Sequence, residues 1–298
     1  MEEQLRSRMM RRMTHVVARP IGTADVAAVC KFLHDELNPA VPVSAWRALF
    51  SPPWPGVGPN HGFQLLADDR IVGAYVAVYS HRILGSSSEP FCNLAAFCVR
   101  EEYRSHSFRL VRAILGQGGY TFTDLSPSGN VIALNQRLGF TSLDTSTAFV
   151  LNVPAPAQRH TQIIADPARI ESLLRGDDLR IYHDHRTAAA ARHIVAVHGE
   201  RIGYLVVRRD RRRNLPLFAS VLHAGGDRAL LRTAWPQLRT QLLRTLHTPV
   251  TLAELRVLGF EPPLSIPLRK SRPKMFRSST VTASDIDLLY SELTLLTW

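Results

Sequence analysis

The sequence predicts an α/β protein, its helices and strands built into mixed sheets and divided between two lobes, on three observations. Apolar runs rich in β-branched and aromatic residues alternate with amphipathic helical stretches along most of the chain. One such run, Phe91 to Val99, passes through a short polar turn into a helix with apolar positions Phe108, Val111 and Leu115 and with Leu110 and Ile114 beside them. The third observation is an echo: Gly199–Val207 repeats the pattern of Asp68–Val76, and Arg256–Phe260 that of Gln136–Phe140. Internal similarity of this kind points to duplication.

Each element can be placed in turn. Residues 1–13 carry Arg6, Arg8, Arg11 and Arg12 with little apolar periodicity, and are expected to be a poorly ordered leader. Val16–Pro20 reads as a first strand, and Thr23–Asp25 caps a helix bearing Val26, Val29, Phe32 and Leu33. Six prolines between Pro39 and Pro59 break the next stretch into short helix and loop, anchored by Trp46, Leu49, Phe50 and Trp54. Phe63–Ala67 and Ile71–Tyr79 form a hairpin about Asp68-Asp69-Arg70. After Phe91–Val99 and the helix from Ser107 comes a short strand, Tyr120–Thr123. A turn at Ser126–Gly129 then leads to a helix carrying Val131, Leu134 and Leu138. Gly139 ends that helix, and a strand pair begins at Phe140 and finishes near Val153. Pro154–Ala157 is the expected linker, which gives a first domain at 14–153 and a second at 154–298. In the second half, a helix is expected from Arg228 to about Leu246, and the tail, Asp285–Leu293, reads as an amphipathic helix that docks back on the body.

Composition bounds the function. A chain of 298 residues, 45% hydrophobic, exceeds one typical domain. No apolar run approaches the ~20 residues of a membrane helix, and the arginine-rich start is unlike a secretory signal, so a cytoplasmic protein with no membrane partner is expected. Cys30, Cys92 and Cys98 lack Cys-x-x-Cys or His spacing, which predicts reduced core residues and no metal. The formal charge of +11 is almost all arginine, with lysine only at Lys31, Lys270 and Lys274. Arg208–Arg213 is its densest cluster. Lying between two apolar strands and without interleaved aromatics, it reads as a solvated turn, which argues against nucleic acid as a partner.

Chemistry concentrates around the strand–turn–helix at 91–115. A helix starting near Ser107 is expected to expose main-chain N–H groups just after Tyr103 at its positive dipole end, a ready site for a phosphate. Arg104, Arg109 and Arg112 add charge there.

Tyr103–Arg109, followed by Asn135-Gln136-Arg137-Leu138-Gly139-Phe140, resembles the pyrophosphate loop and the "klGF" signature of the GNAT (Gcn5-related) N-acetyltransferases. Ser107 and Arg109 stand where that loop usually has small residues, and Asn135 where the family carries a tyrosine acid. The resemblance implies an acyl-CoA N-acyltransferase-like fold, as a tandem of two GNAT-like lobes, using acetyl-CoA or another acyl-CoA. The stretch between the hairpin and the final helix is shorter in the second copy and lacks a counterpart of the loop, which implies a second lobe that no longer binds the co-substrate. Phe97, Cys98, Val99, Arg104, Ser105, His106, Ser107, Phe108 and Arg109 are the expected co-substrate contacts.

Acyl transfer from a thioester needs a neutral amine, a donor for the oxyanion and an acid for the departing thiolate. Asp124, at the end of a short strand, is the candidate base or amine anchor. Asn93 can orient a water, and Asn135 can hydrogen-bond but not titrate. Tyr75, Tyr79 and His81 alternate on one strand face and are candidates to line the acceptor pocket. The resulting expectation is acyl transfer to an amine of a small molecule by a monomer or homodimer. A noncatalytic scaffold that kept the fold is the alternative, and a basic nucleic-acid binder the third.

Overall fold

Two seven-stranded sheets organise the chain in the computed structural model, which describes residues 15–56, 58–127, 129, 131–212, 215–268 and 271–297. The expected leader at 1–13 lies outside these residues, as does Arg213. Strands β1 (Val16–Pro20), β2 (Gly62–Ala67), β3 (Arg70–Leu84), β4 (Ser87–Val99), β5 (Thr121–Asp124) and β6 (Thr141–Ser142) belong to the first sheet. The second sheet holds β7 (Thr147–Leu151), β8 (Thr161–Ile164), β9 (Arg192–His198), β10 (Arg201–Arg212), β11 (Leu215–Gly226), β12 (Val250–Glu254) and β13 (Ser265–Leu268). The last strand, β14 (Met275–Arg277), returns to the first sheet.

The strand orders correspond position by position. The first is β1-β2-β3-β4-β5-β14-β6 and the second β8-β9-β10-β11-β12-β7-β13. In each, the fourth and fifth strands pair in parallel, β4 with β5 and β11 with β12, and the other neighbours are antiparallel. The sixth position of each sheet is filled by a strand from the other half of the sequence. The strand pair expected from Phe140 to Val153 is therefore divided: β6 stays in the first sheet, and β7 crosses to pair with β12 and β13. Alternating residues mark a strand but not its partner, so this exchange left no local trace.

Helices cover the sheets with the faces their periodicity dictates. α1 (Val26–Glu36) buries Val29, Cys30, Phe32 and Leu33, and α2 (Val43–Trp46) buries Trp46. α3 (Ser107–Leu115) turns Leu110, Val111 and Ile114 into a cluster with Leu65, Tyr75, Ala77 and Leu94 of the first sheet. α4 (Val131–Arg137) follows β5, and α5 (Pro167–Leu173) and α6 (Gly176–His185) precede β9. The single helix expected at 228–246 is two, α7 (Arg228–Thr233) and α8 (Trp235–Leu246), divided at Ala234 with proline in the first turn of α8. α9 (Leu255–Leu258) ends at Gly259 in the left-handed region, as its Leu-Gly-Phe pattern requires.

The tail departs from expectation. Instead of one helix at 285–293, a 3-10 turn at Ala283–Asp285 gives way to extended chain, then α10 (Glu292–Leu295). Side-chain bonds compete with the helix: Asp285 closes a capping box with Thr282, while Asp287 bonds to Arg82 and His223. The tail does dock, burying Ile286, Leu288, Leu289 and Tyr290 in a core cluster drawn from both halves of the chain.

The basic cluster also reads differently in three dimensions. β10 runs on to Arg212, so Arg208 lies inside the sheet at 1% exposure, donating to the Leu293 carbonyl at 3.0 Å, with Asp210 3.8 Å away. For Arg208–Arg212 the expected solvated turn is thus corrected to the end of a long strand. The apolar runs flanking it were simply longer than their hydrophobic residues suggested. Cys30 and Cys92 are buried and Cys98 half-buried, all three as free thiols.

Candidate active site

Parallel β4 and β5 stay in register over three pairs, Phe91 with Thr121, Cys92 with Phe122 and Asn93 with Thr123. Beyond Asn93 they part, because β5 stops at Asp124 while β4 runs on to Val99. On its other side β4 skips a residue: Val76 pairs with Ala96 and Ala77 with Leu94, which leaves Ala95 as a bulge. A bulge beside a strand end re-aims backbone and side chains, and the carboxyl ends of parallel strands are where open sheets bind ligands. A cleft of about 540 Å³ opens there, walled by Leu94–Phe97 of β4, by Tyr75, by Trp46 and by Asp124.

Asp124 is 4% exposed. Its Oδ2 accepts from Asn135 Nδ2 at 2.9 Å. Behind it lies a second carboxyl, Glu292, fully buried, accepting from Asn93 Nδ2 at 2.6 Å and from Ser126 Oγ at 2.6 Å. Thr123 Oγ1 in turn donates to Asn93 Oδ1 at 3.0 Å, which fixes the orientation of that amide. Burial, reinforced by the nearby Glu292 charge, pushes Asp124 up to about 7. Burial also raises Glu292, with the Ser126 and Asn93 bonds pulling the other way. Asp124 is thus a carboxyl that can take up or release a proton near neutrality at the wall of an open cleft.

The second sheet repeats the geometry but not the opening. Val206 pairs with His223 and Val207 with Val221, so Leu222 is the bulge of β11. Here the tail covers it. The Leu288 amide donates to the Leu222 carbonyl at 3.1 Å, and Leu288 and Leu293 leave a cavity of only about 50 Å³ between themselves and the charged Arg208, Asp210, Glu254 and Lys274.

The fold is shared with solved structures. A GCN5-related N-acetyltransferase from Anabaena variabilis superposes with a TM-score of 0.57 at 12% identity, covering 88% of this chain and 72% of that one. A probable N-acyltransferase from Enterococcus faecalis gives 0.58 at 13%, covering 89% and 73%. A putative acetyltransferase from Pyrococcus horikoshii gives 0.53 at 12%, covering 95% and 94%. The chain has the GNAT fold. No protein-family model matches the sequence, and no curated protein does.

On the GNAT fold, the segment that resembles a pyrophosphate loop corrects one expectation. Glu101–His106 winds as a 3-10 helix that runs directly into α3. Its i→i+3 bonds turn the amides of the segment onto its own carbonyls: Tyr103 donates to Arg100, and Ser107 to Arg104. The free main-chain nitrogens expected after Tyr103 are therefore engaged. With Ser107 and Arg109 at the loop's usual small-residue positions, the segment takes up regular helical geometry. Arg104 pairs with Glu101 at 2.7 Å, and Arg109 reaches the Val16 carbonyl. Ser105 is exposed, His106 sits at the junction with α3, and Phe108 is 50% exposed.

The other expected residues separate into groups. Asp124, Asn135, Asn93, Tyr75 and Phe97 meet at or just behind the cleft, while Cys98 and Val99 continue β4 beyond it. Tyr75, its ring tilted against Phe97 with centroids 4.6 Å apart, has its hydroxyl raised well above the usual range by burial. Tyr79 points elsewhere, donating to Asn60 Oδ1 at 3.1 Å and accepting from Gln117 Nε2 at 2.8 Å beside a separate cleft under Trp54. His81 is exposed. Glu292 falls in the tail segment expected to dock as an amphipathic helix, and its only local signal was an acidic residue between Ser291 and Leu293. Among the described residues, no group of three or more His, Cys, Asp or Glu could hold a metal ion, and no helix is long and apolar enough to cross a membrane.

Proposed function

We propose that the protein transfers an acetyl or other acyl group from an acyl-CoA to an amine of a small molecule, in the cleft between β4 and β5. The observation that carries this reading is Asp124, a buried carboxyl poised near pH 7 at the wall of a cleft on an acyltransferase fold. In the step it supports, the amine nitrogen attacks the thioester carbonyl and the C–N bond forms as the C–S bond breaks. The Asp124 carboxylate takes the amine proton and returns it to the departing thiolate, so no net proton is consumed. The bulge at Ala95 gives the acyl carbonyl a place beside irregular backbone, and Asn135 keeps Asp124 facing the cleft. Residues 14–153 would supply this chemistry. The second lobe, 154–298, would shape the acceptor side without binding acyl-CoA, a role supported by the tail seated on its bulge.

One observation favours a second reading, a noncatalytic binding or scaffold protein: the 3-10 winding of Glu101–His106 engages the amides a diphosphate would need. Calorimetry with acetyl-CoA decides between them, followed by measurement of free CoA with a panel of small amines. Binding with thiol release is expected. Absence of binding at millimolar acetyl-CoA would leave the scaffold reading standing.

A further inference from the structure

The cleft has one wall that the first half of the chain does not build. Arg211, near the end of β10, and Arg272, on the segment that carries the chain from β13 back to β14, both line it. Arg272 Nη2 donates to the Arg211 main-chain carbonyl at 3.3 Å, which ties the crossing segment to β10 and holds both residues at the same wall. Among the described residues, no carboxylate pairs with either guanidinium. Neighbouring cations are engaged: Arg209 on the Pro216 carbonyl, and Lys274 and Arg256 together on Glu254. The acid of this cleft, Asp124, is held by Asn135 and is in part neutral at pH 7, so it does not balance two full positive charges.

The Arg272 guanidinium is thus held at the Arg211 backbone while Arg211 lines the same cleft, and with no carboxylate paired to either among the described residues the two guanidinium groups attract an anion. Their planar forks suit carboxylate or phosphate. The same cleft is also lined by the apolar Leu37 and the aromatic Trp46, which would exclude water from a bound ligand.

Resting on the acyltransferase reading, we infer that the acceptor is an amine that also carries a carboxylate or phosphate, with its anion held by Arg211 and Arg272 and its amino group facing Asp124. The second lobe would then act as a specificity wall, selecting acceptors by a charge remote from the reacting nitrogen. Acyl-CoA itself carries phosphates, so the experiment must separate the two sources.

Matched pairs of probes do so: O-phosphoethanolamine against ethanolamine, and glycine against glycinamide, tested on the full chain and on Arg211→Gln, Arg272→Gln and the double variant. Free CoA is measured for each pair, and the affinities for O-phosphoethanolamine and for acetyl-CoA are measured by calorimetry. The expected result is a preference of about tenfold or more in kcat/KM for the anionic member of a pair. The double variant should lose that preference and bind O-phosphoethanolamine about tenfold more weakly, while ethanolamine turnover and acetyl-CoA affinity stay unchanged. Equal use of charged and neutral members, or O-phosphoethanolamine affinity indifferent to both arginines, would overturn the inference and leave the transferase reading intact. A double variant that weakens acetyl-CoA instead assigns the arginines to the co-substrate and also overturns it. Loss of acetyl-CoA binding in the unaltered protein would sink the transferase reading separately, with the O-phosphoethanolamine arm still testing the anion site.

Discussion

Asp124 titrates near neutrality because two carboxyl groups share a dry pocket and only one faces an opening. Glu292 is locked by Asn93 and Ser126, whereas Asp124, held by the Asn135 side chain and the Ser126 backbone, faces the cleft. With its folded pKa raised to about 7 and its unfolded value near about 4, Asp124 adds stability at low pH that is lost as pH rises between them. Asp124→Asn should therefore flatten the decline in unfolding free energy between about pH 4 and pH 7; denaturant titrations at several pH values check this. An unchanged slope would mean that the carboxyl is not perturbed. As the base of the proposed reaction, Asp124 must be ionised, so the rate should rise with pH through about 7. Asp124→Asn should remove that inflection and cost about 10²–10⁴-fold in kcat. Asp124 was legible in the sequence because a polar residue ending a short apolar strand stands out. Glu292 was not, since it lies 199 positions from Asn93 and its meaning depends entirely on where the tail docks.

Among the elements, the tail links the two halves through buried charges. Asp287 accepts from Arg82 of β3 at 2.5 Å, and its other oxygen lies 2.8 Å from His223 Nδ1 of β11. Burial opposes the ionised carboxylate, but the Arg82 and His223 charges hold it well below the usual range. Burial would lower His223, but Asp178 and Asp287 outweigh it and keep it above its ordinary value. Asp287→Ala would leave both cations buried without their shared partner and should cost about 3–5 kcal/mol. Loss of so much in a denaturant titration, with faster proteolysis after residue 282, is the expected result. A change under about 1 kcal/mol would show that the tail is held by its apolar contacts alone. The helix predicted here failed because apolar spacing carries no information about Asp287 finding Arg82. The Glu101–His106 segment failed for a related reason: its polar residues resemble a loop, yet with no glycine to hold it open they wind into a helix.

At the scale of the whole molecule, the exchanged strands make each sheet incomplete without the other half of the chain. β14 pairs with both β5 and β6, and β7 with both β12 and β13, so separating the halves would expose strand edges in both. The halves should consequently unfold together. With Trp298 replaced, fluorescence of a variant keeping Trp46 and Trp54 in the first half, and of one keeping Trp235 in the second, should give coincident urea transitions. Separated midpoints would show that the exchange does not couple them.

Local chemistry determined the strands, most helices and the bulk of the core, because periodicity of apolar residues acts over a few positions. The repeated hairpin and Leu-Gly-Phe patterns anticipated the matching strand orders of the two sheets, and the resemblance carried by Tyr103–Arg109 and Asn135–Phe140 pointed to the GNAT fold. Only the tertiary structure decided which sheet β7 and β14 join, which bulge stays open and which is covered by the tail, and that Glu292 stands behind Asp124. Those outcomes depend on contacts between residues far apart in the chain, where pairing energy and burial, not neighbouring sequence, select the partner.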